Sequence, residues 1–185
     1  MDEQTLLNKL KDGDRASFKE LFDKYQRYIF NICYRFTGNT DEAEDVTQNV
    51  FIKIFRSIRK FRGDSSLRSW IYRIAVNACL NHQRRKKLNY YISLDFLMSD
   101  KSYEQPSDDR NNPDAQIERA EEEKIVQKAV QSLPSRQKTA IILQRYEELT
   151  YREIAEVMQT TVPAVESLVH RARENLSAKL ARILK

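Results

Sequence analysis

An all-α protein of two small helical domains joined by an acidic linker is what this sequence predicts, on three observations. Glycine and proline are scarce, three and four in 185 residues, and charged residues make up 32%, which favours helices over a turn-rich β fold. Apolar residues recur at three and four positions through most of the chain, the period of helices with one buried face. From about residue 90 that period lapses, Pro106 and Pro113 interrupt, and Asp100 to Glu123 holds nine acids against three bases. The expected boundaries are therefore 1–89 for the first domain, 90–122 for an extended linker and 123–185 for the second domain.

Leu6, Leu7 and Leu10 begin a first helix, which Gly13 and Asp14 break. Phe18, Leu21, Phe22, Tyr25, Ile29, Ile32, Cys33 and Phe36 then form a long core stripe, ended by Gly38. Asn39 with Glu42 has the form of a capping box and opens a helix with two faces. Val46, Val50, Phe51, Ile54, Phe55 and Ile58 are its inward set. Asp41, Glu42, Glu44, Asp45, Gln48 and Asn49 are left outside, an acidic and amide surface that the helix dipole explains only in part.

Directly after it, Arg56 to Lys87 carries ten bases against one acid, a balance of +9 in a chain of net +5, so the positive field is gathered here. Asp64, Ser65 or Ser66 can cap a helix whose buried stripe is Leu67, Ile71, Ile74 and Ala78. Trp70, Arg73, Asn77, Asn81 and Arg84 fall on a neighbouring stripe. Guanidinium groups for phosphates, amides that donate and accept, and one large aromatic suit a reader of nucleic acid; the plainer reading is a solvated face with a half-buried Trp.

In the last segment Ile125, Val126, Ala129, Val130 and Leu133 mark an amphipathic helix stopped by Pro134, and a second helix from about Ser135 to Tyr146 buries Ala140, Ile141 and Leu143. Thr150 with Glu153 is another capping box, opening a short helix that buries Ile154, Ala155 and Met158. After a turn at Gln159, Thr160 and Thr161, Pro163 sits in the first turn of a longer helix, where it has no hydrogen bond to lose. Val165, Leu168, Val169, Ala172, Leu176 and Leu180 are the core stripe of that helix; Ala164, Ser167, His170, Arg171 and Glu174 face out. A short helix, a tight turn and a longer helix with basic residues have the form of a helix-turn-helix.

Other chemistry finds little support. No apolar run approaches a bilayer span and the N-terminus is acidic and mixed, so a cytoplasmic protein without membrane insertion is expected. Cys33 and Cys79 sit on apolar helix patterns without ligand spacing and read as core thiols; His82 and His170 are far apart; no metal or cofactor is expected.

The motifs EAEDVTQNVF at 42 to 51, FRGDSSLRSWIYRIAVN at 61 to 77, and YREIAEVM with VESLVHRAR at 151 to 173 resemble the extracytoplasmic-function (ECF) sigma factors of bacterial RNA polymerase, of the sigma-70 family. The likeness covers nearly the whole chain, including the order of acidic helix, basic helix, linker and helix-turn-helix. It implies a sigma region 2 bundle followed by region 4, and a non-enzymatic specificity subunit that directs promoter-specific initiation. By the same resemblance Asp45, Gln48 and Asn49 would dock on the β′ clamp helices of core polymerase. Phe61, Trp70, Asn77 and Asn81 would hold an unstacked base of the −10 element, with Arg62, Arg73, Arg84 and Arg85 on the backbone. Ala164, Glu166, Ser167, His170, Arg171 and Arg173 would face the −35 element, in a domain that also sits on the β flap. An anti-sigma factor is an expected partner.

Four positions depart from the family pattern. Asn49 stands for a usual Glu and Asn81 for a common Asp, while Glu166 and Leu168 stand where a base and an Arg are frequent. Glu166 either accepts from a cytosine amino group or faces away. Two rival readings stay open on the residues alone. A stand-alone helix-turn-helix regulator leaves the acidic helix without a purpose, and a metal-dependent nuclease lacks a second carboxylate cluster.

Overall fold

The computed structural model describes residues 3–96 and 115–183, with side chains described for 5–89 and 123–182. All its regular structure is helical among the described residues. Helices α1 (Glu3–Asp12), α2 (Arg15–Thr37), α3 (Thr40–Ser57) and α4 (Leu67–Phe96) form the first bundle, with one 3-10 turn at Ile58–Lys60. Helices α5 (Ala115–Gln131), α6 (Ser135–Arg145), α7 (Tyr151–Met158) and α8 (Val162–Ile183) form the second.

The caps explain the boundaries. Asp14 accepts from the Ser17 amide at 2.8 Å to start α2. Gly38 ends it in the left-handed region, φ 71°, donating its amide to the Tyr34 carbonyl. At α3 only half of the expected box forms: the Asn39 side chain accepts from the Glu42 amide at 2.9 Å, but the Glu42 carboxylate turns elsewhere. At α7 both halves form, Thr150 and Glu153 satisfying each other's amides.

In the first bundle Leu21, Ile29, Ile32, Val50, Ile54 and Ile71 are fully enclosed. Two residues assigned inward lie at its rim. Phe55 is 53% exposed and meets Phe18 edge-on, rings 5.1 Å apart, because α3 offers its partners a stripe narrower than the apolar set it carries. Phe22 is 37% exposed, its ring 4.5 Å from Phe51. The second bundle closes on Ile142, Leu143, Ile154, Val165, Val169 and Ala172. Of the stripe assigned to α8, Leu168, Leu176 and Leu180 are only half-buried.

Helix α4 continues to Phe96, seven residues past the expected domain boundary, and α5 begins at Ala115, within the stretch read as linker. The rest of that stretch, 97–114, lies outside the described residues. The two bundles are packed together, α7 lying across α4 and α5 against α2. Gln131 of α5 sits so close to Gly38 that a Cβ there would fall 1.7 Å from its amide nitrogen.

Candidate nucleic-acid interface

Helix α3 presents Asp45, Gln48 and Asn49 on one exposed face, with the Asn49 side chain donating to the Asp45 carbonyl at 2.8 Å. Glu42, expected on that face, belongs instead to the seam with α4. Its carboxylate pairs with His82 Nε2 at 2.9 Å and accepts from Lys86 Nζ. Burial alone would raise its pKa, but the bonds from Lys86 and His82 outweigh burial and hold it below the ordinary carboxylate value. The outer acidic face is smaller than the sequence suggests, and the seam stronger.

Helix α4 is capped by Ser66, whose hydroxyl accepts from the Ser69 amide at 3.0 Å. Arg62, Asn77, Asn81, Arg84 and Arg85 lie on open surface. Phe61 does not: it is 6% exposed, its ring 5.3 Å from that of half-buried Trp70. Arg73 is also partly covered, one guanidinium nitrogen donating to the Glu156 carbonyl at 2.9 Å while its Nε is buried without an acceptor. The structure thus leaves five of the eight candidate promoter contacts exposed and draws Phe61, Trp70 and Arg73 inward.

What covers Arg73 is the second bundle, which meets the start of α4 through further polar residues. The Tyr72 hydroxyl donates to Glu147 Oε2 at 3.1 Å, the Ser69 hydroxyl to Glu156 Oε2 at 3.0 Å, and Arg68 to the Glu147 carbonyl at 3.1 Å. Burial pushes the Glu147 carboxyl up to about 7 despite bonds from Tyr72 and the charge of Arg68. Burial and then the Glu147 charge push the Tyr72 phenol well above its ordinary value. A signal for this contact was available: Tyr72, Val76 and Leu80 make a second apolar stripe on α4.

In the second bundle α7 and α8 form the helix-turn-helix, with Gln159 in the left-handed region, φ 51°, at the turn. Thr161 caps α8, accepting from the Ala164 amide at 3.4 Å. Glu166, Ser167, His170, Arg171 and Arg173 are exposed and Ala164 half-buried. Arg173 donates to Gln144 at 3.3 Å, and His170 lies 3.8 Å from Glu174 one turn on. Between α4 and the α6–α7 corner is a cavity of about 240 Å³ with Arg84, Lys87 and Arg136 at its wall.

Among the described residues no three His, Cys, Asp or Glu side chains converge as metal ligands. Cys33 and Cys79, distant in sequence, meet in the core with sulfurs 3.7 Å apart and are free thiols.

Comparison with known proteins decides the family. The profile of Sigma-70 region 2 matches residues 21–88 and that of Sigma-70 region 4 matches residues 123–176. An ECF RNA polymerase sigma-E factor of Haemophilus influenzae is 35% identical, over 100% of this chain and 98% of its own. The chain belongs to the ECF sigma factors of the sigma-70 family. An RNA polymerase sigma-H factor of Pseudomonas aeruginosa is likewise 35% identical, over 99% of this chain and 96% of its own. The sigma factor RpoE of Bartonella quintana, solved in complex with the anti-sigma factor NepR, shares the fold: TM-score 0.65, 22% identity, 89% of this sigma factor and 96% of that chain. This sigma factor is accordingly a non-enzymatic, DNA-binding factor of transcription initiation. No helix among its described residues is long and apolar enough to cross a membrane.

Proposed function

We propose that this sigma factor divides its work between the faces built above, in the cytoplasm and on core RNA polymerase. Asp45, Gln48 and Asn49 of α3 dock on the β′ clamp helices. Asn77, Asn81, Arg62, Arg84 and Arg85 engage the −10 element with Phe61 and Trp70, joined by Arg73 when α7 moves off it. The exposed residues of α8, Arg171 foremost, meet the −35 element while the same domain rests on the β flap. An anti-sigma factor, of the kind seen with the Bartonella relative, is a further partner.

The observation that carries this reading is the juxtaposition of an exposed acidic and amide face on α3 with an exposed basic face on α4. DNA phosphates are repelled by the first and attracted by the second, so one chain offers a protein partner and a promoter two separate surfaces. Gel filtration with purified core polymerase tests the assignment. The wild-type chain is expected to co-elute with core, and Asp45→Arg to co-elute much less while melting at an unchanged temperature. Undiminished co-elution of Asp45→Arg would remove α3 from the core-binding surface.

A further inference from the structure

The cavity of about 240 Å³ between α4 and the α6–α7 corner has a lining that the promoter and polymerase surfaces do not account for. Its covered part is apolar: Val157 is buried, and Leu80 and Met158 are half-buried. Its exposed part is cationic, with Arg84 and Lys87 from α4 and Arg136 from the first turn of α6, and no Asp or Glu among the described residues lines it. Among the described residues no carboxylate lies within ion-pair distance of these three, and Arg136 reaches only the Thr160 hydroxyl, at 3.5 Å. Asn77 and Gln159 add amides that both donate and accept.

The charge runs deeper than the lining. Lys138 of α6 is 5% exposed and its ammonium group has no partner among the described residues. Burial and then the charge of Lys87 lower its pKa. Two neighbouring ammonium groups, one of them buried, with no acid between them, leave a charge that an anion would balance. Helix α6 adds to the deficit, because Pro134 at its N-cap offers no side-chain bond to the amides of the first turn.

We infer that this cavity is a binding site for a free mononucleotide, its phosphate held by Arg84, Lys87 and Arg136 and its base laid against Leu80, Val157 and Met158. Three convergent cations beside uncapped helix amides match a phosphate dianion better than a single carboxylate. A nucleobase has a flat face for the apolar wall and a hydrogen-bonding edge for Asn77 and Gln159, and such a mixed lining is the usual one for small-molecule sites. The volume falls below the roughly 300–1,000 Å³ of pockets for larger ligands, which leaves room for one nucleotide and not for several. The site stands apart from the promoter reading: only Asn77 and Arg84 are shared with the −10 face, and Lys87, Arg136 and the apolar wall take no part in it.

Calorimetric titration of the full chain with each of the four ribonucleoside 5′-monophosphates, inorganic phosphate, the four nucleosides and a dinucleotide tests the site. At least one mononucleotide is expected to bind one to one, about tenfold or more tightly than inorganic phosphate and its own nucleoside. Arg136→Gln and Lys87→Gln should each weaken it about tenfold, as loss of a hydrogen bond to a charged group implies. Arg27→Gln, the same change of charge at an exposed position of α2, should leave it unaltered. All three positions are exposed, so the variants keep the fold. No binding by any mononucleotide would overturn the inference, and so would inorganic phosphate binding as tightly, which describes a simple anion site. A dinucleotide binding more tightly than every mononucleotide would assign the cavity to a nucleic-acid strand, and an equal loss in Arg27→Gln would reduce the effect to net charge; either result defeats it.

Discussion

Replacing Glu42 by Gln takes the charge out of the seam between α3 and α4 while keeping the shape of the side chain. Two partners lose a charged acceptor, His82 at 2.9 Å and Lys86. Fully buried, each such bond would be worth about 1.5–3 kcal/mol. The Glu42, His82 and Lys86 side chains are 27%, 31% and 51% exposed, so solvent screening brings each pair down to about 0.5–1 kcal/mol. The total is about 1–2 kcal/mol, which lowers the melting temperature of a bundle of this size by roughly 5–10 °C. The sign with pH follows from the lowered pKa. A carboxyl held below its ordinary value of 4.5 stabilises the fold above that value, and the contribution fades as pH falls through the lowered one. Thermal melting of wild type and Glu42→Gln at pH 7 should show the gap, and a series towards acid should show the two curves converge. Equal melting at pH 7, or a gap that persists undiminished in acid, would refute the seam. Because Glu42 is turned from the outer face, the variant should still co-elute with core polymerase.

Asn77→Ala alters an exposed position, so its stability should stay within about 0.5 kcal/mol of wild type. Transcription from promoters that the wild type selects should nonetheless fall by about 5- to 100-fold, the loss of one base-reading amide. Arg171→Ala should weaken promoter binding by the holoenzyme and lower its salt slope by about one; an unchanged slope would remove Arg171 from the phosphate contacts. The closed arrangement should loosen with rising pH. Glu147 faces Arg68 and Tyr72 from α4, and Arg68 is shared with Glu153. Burial raises the Glu147 carboxyl from 4.5 to about 7, so its contribution to closure is fully present below the ordinary value and lost as pH rises through the raised one. Scattering at pH 6 and pH 8.5 should show the larger radius at the higher pH.

Local chemistry made most of the helices legible. Gly38 and the reciprocal pair of Thr150 and Glu153 act within one turn of themselves, so their sequence signals need no tertiary context. That α4 runs on as far as Phe96 was not legible, because the apolar period lapses near residue 90 although no glycine or proline breaks the helix there. Contacts between distant segments were harder still. Ser69 and Glu156 carry no hydrophobic pattern that would mark a contact, yet they meet at 3.0 Å. Glu42 looked outward because its helix position allowed it, and only the arrival of His82 and Lys86 from α4 turns it in. The exposed candidates, Asn77, Asn81, Arg84, Arg85 and Arg171, stood out by residue type and helical phase. Phe61 and Trp70 are aromatics of the kind that can hold a base, and their packing against each other depends on a loop conformation no periodicity records.

The central claim is that this chain gives core RNA polymerase its choice of promoter. Run-off transcription with purified core, with and without the chain, on a library of native promoter fragments tests it most directly. Discrete transcripts that require the chain, with shared sequence upstream of their starts, are the predicted result. An identical transcript pattern in its presence and absence, from core shown by gel filtration to have bound it, would contradict the claim.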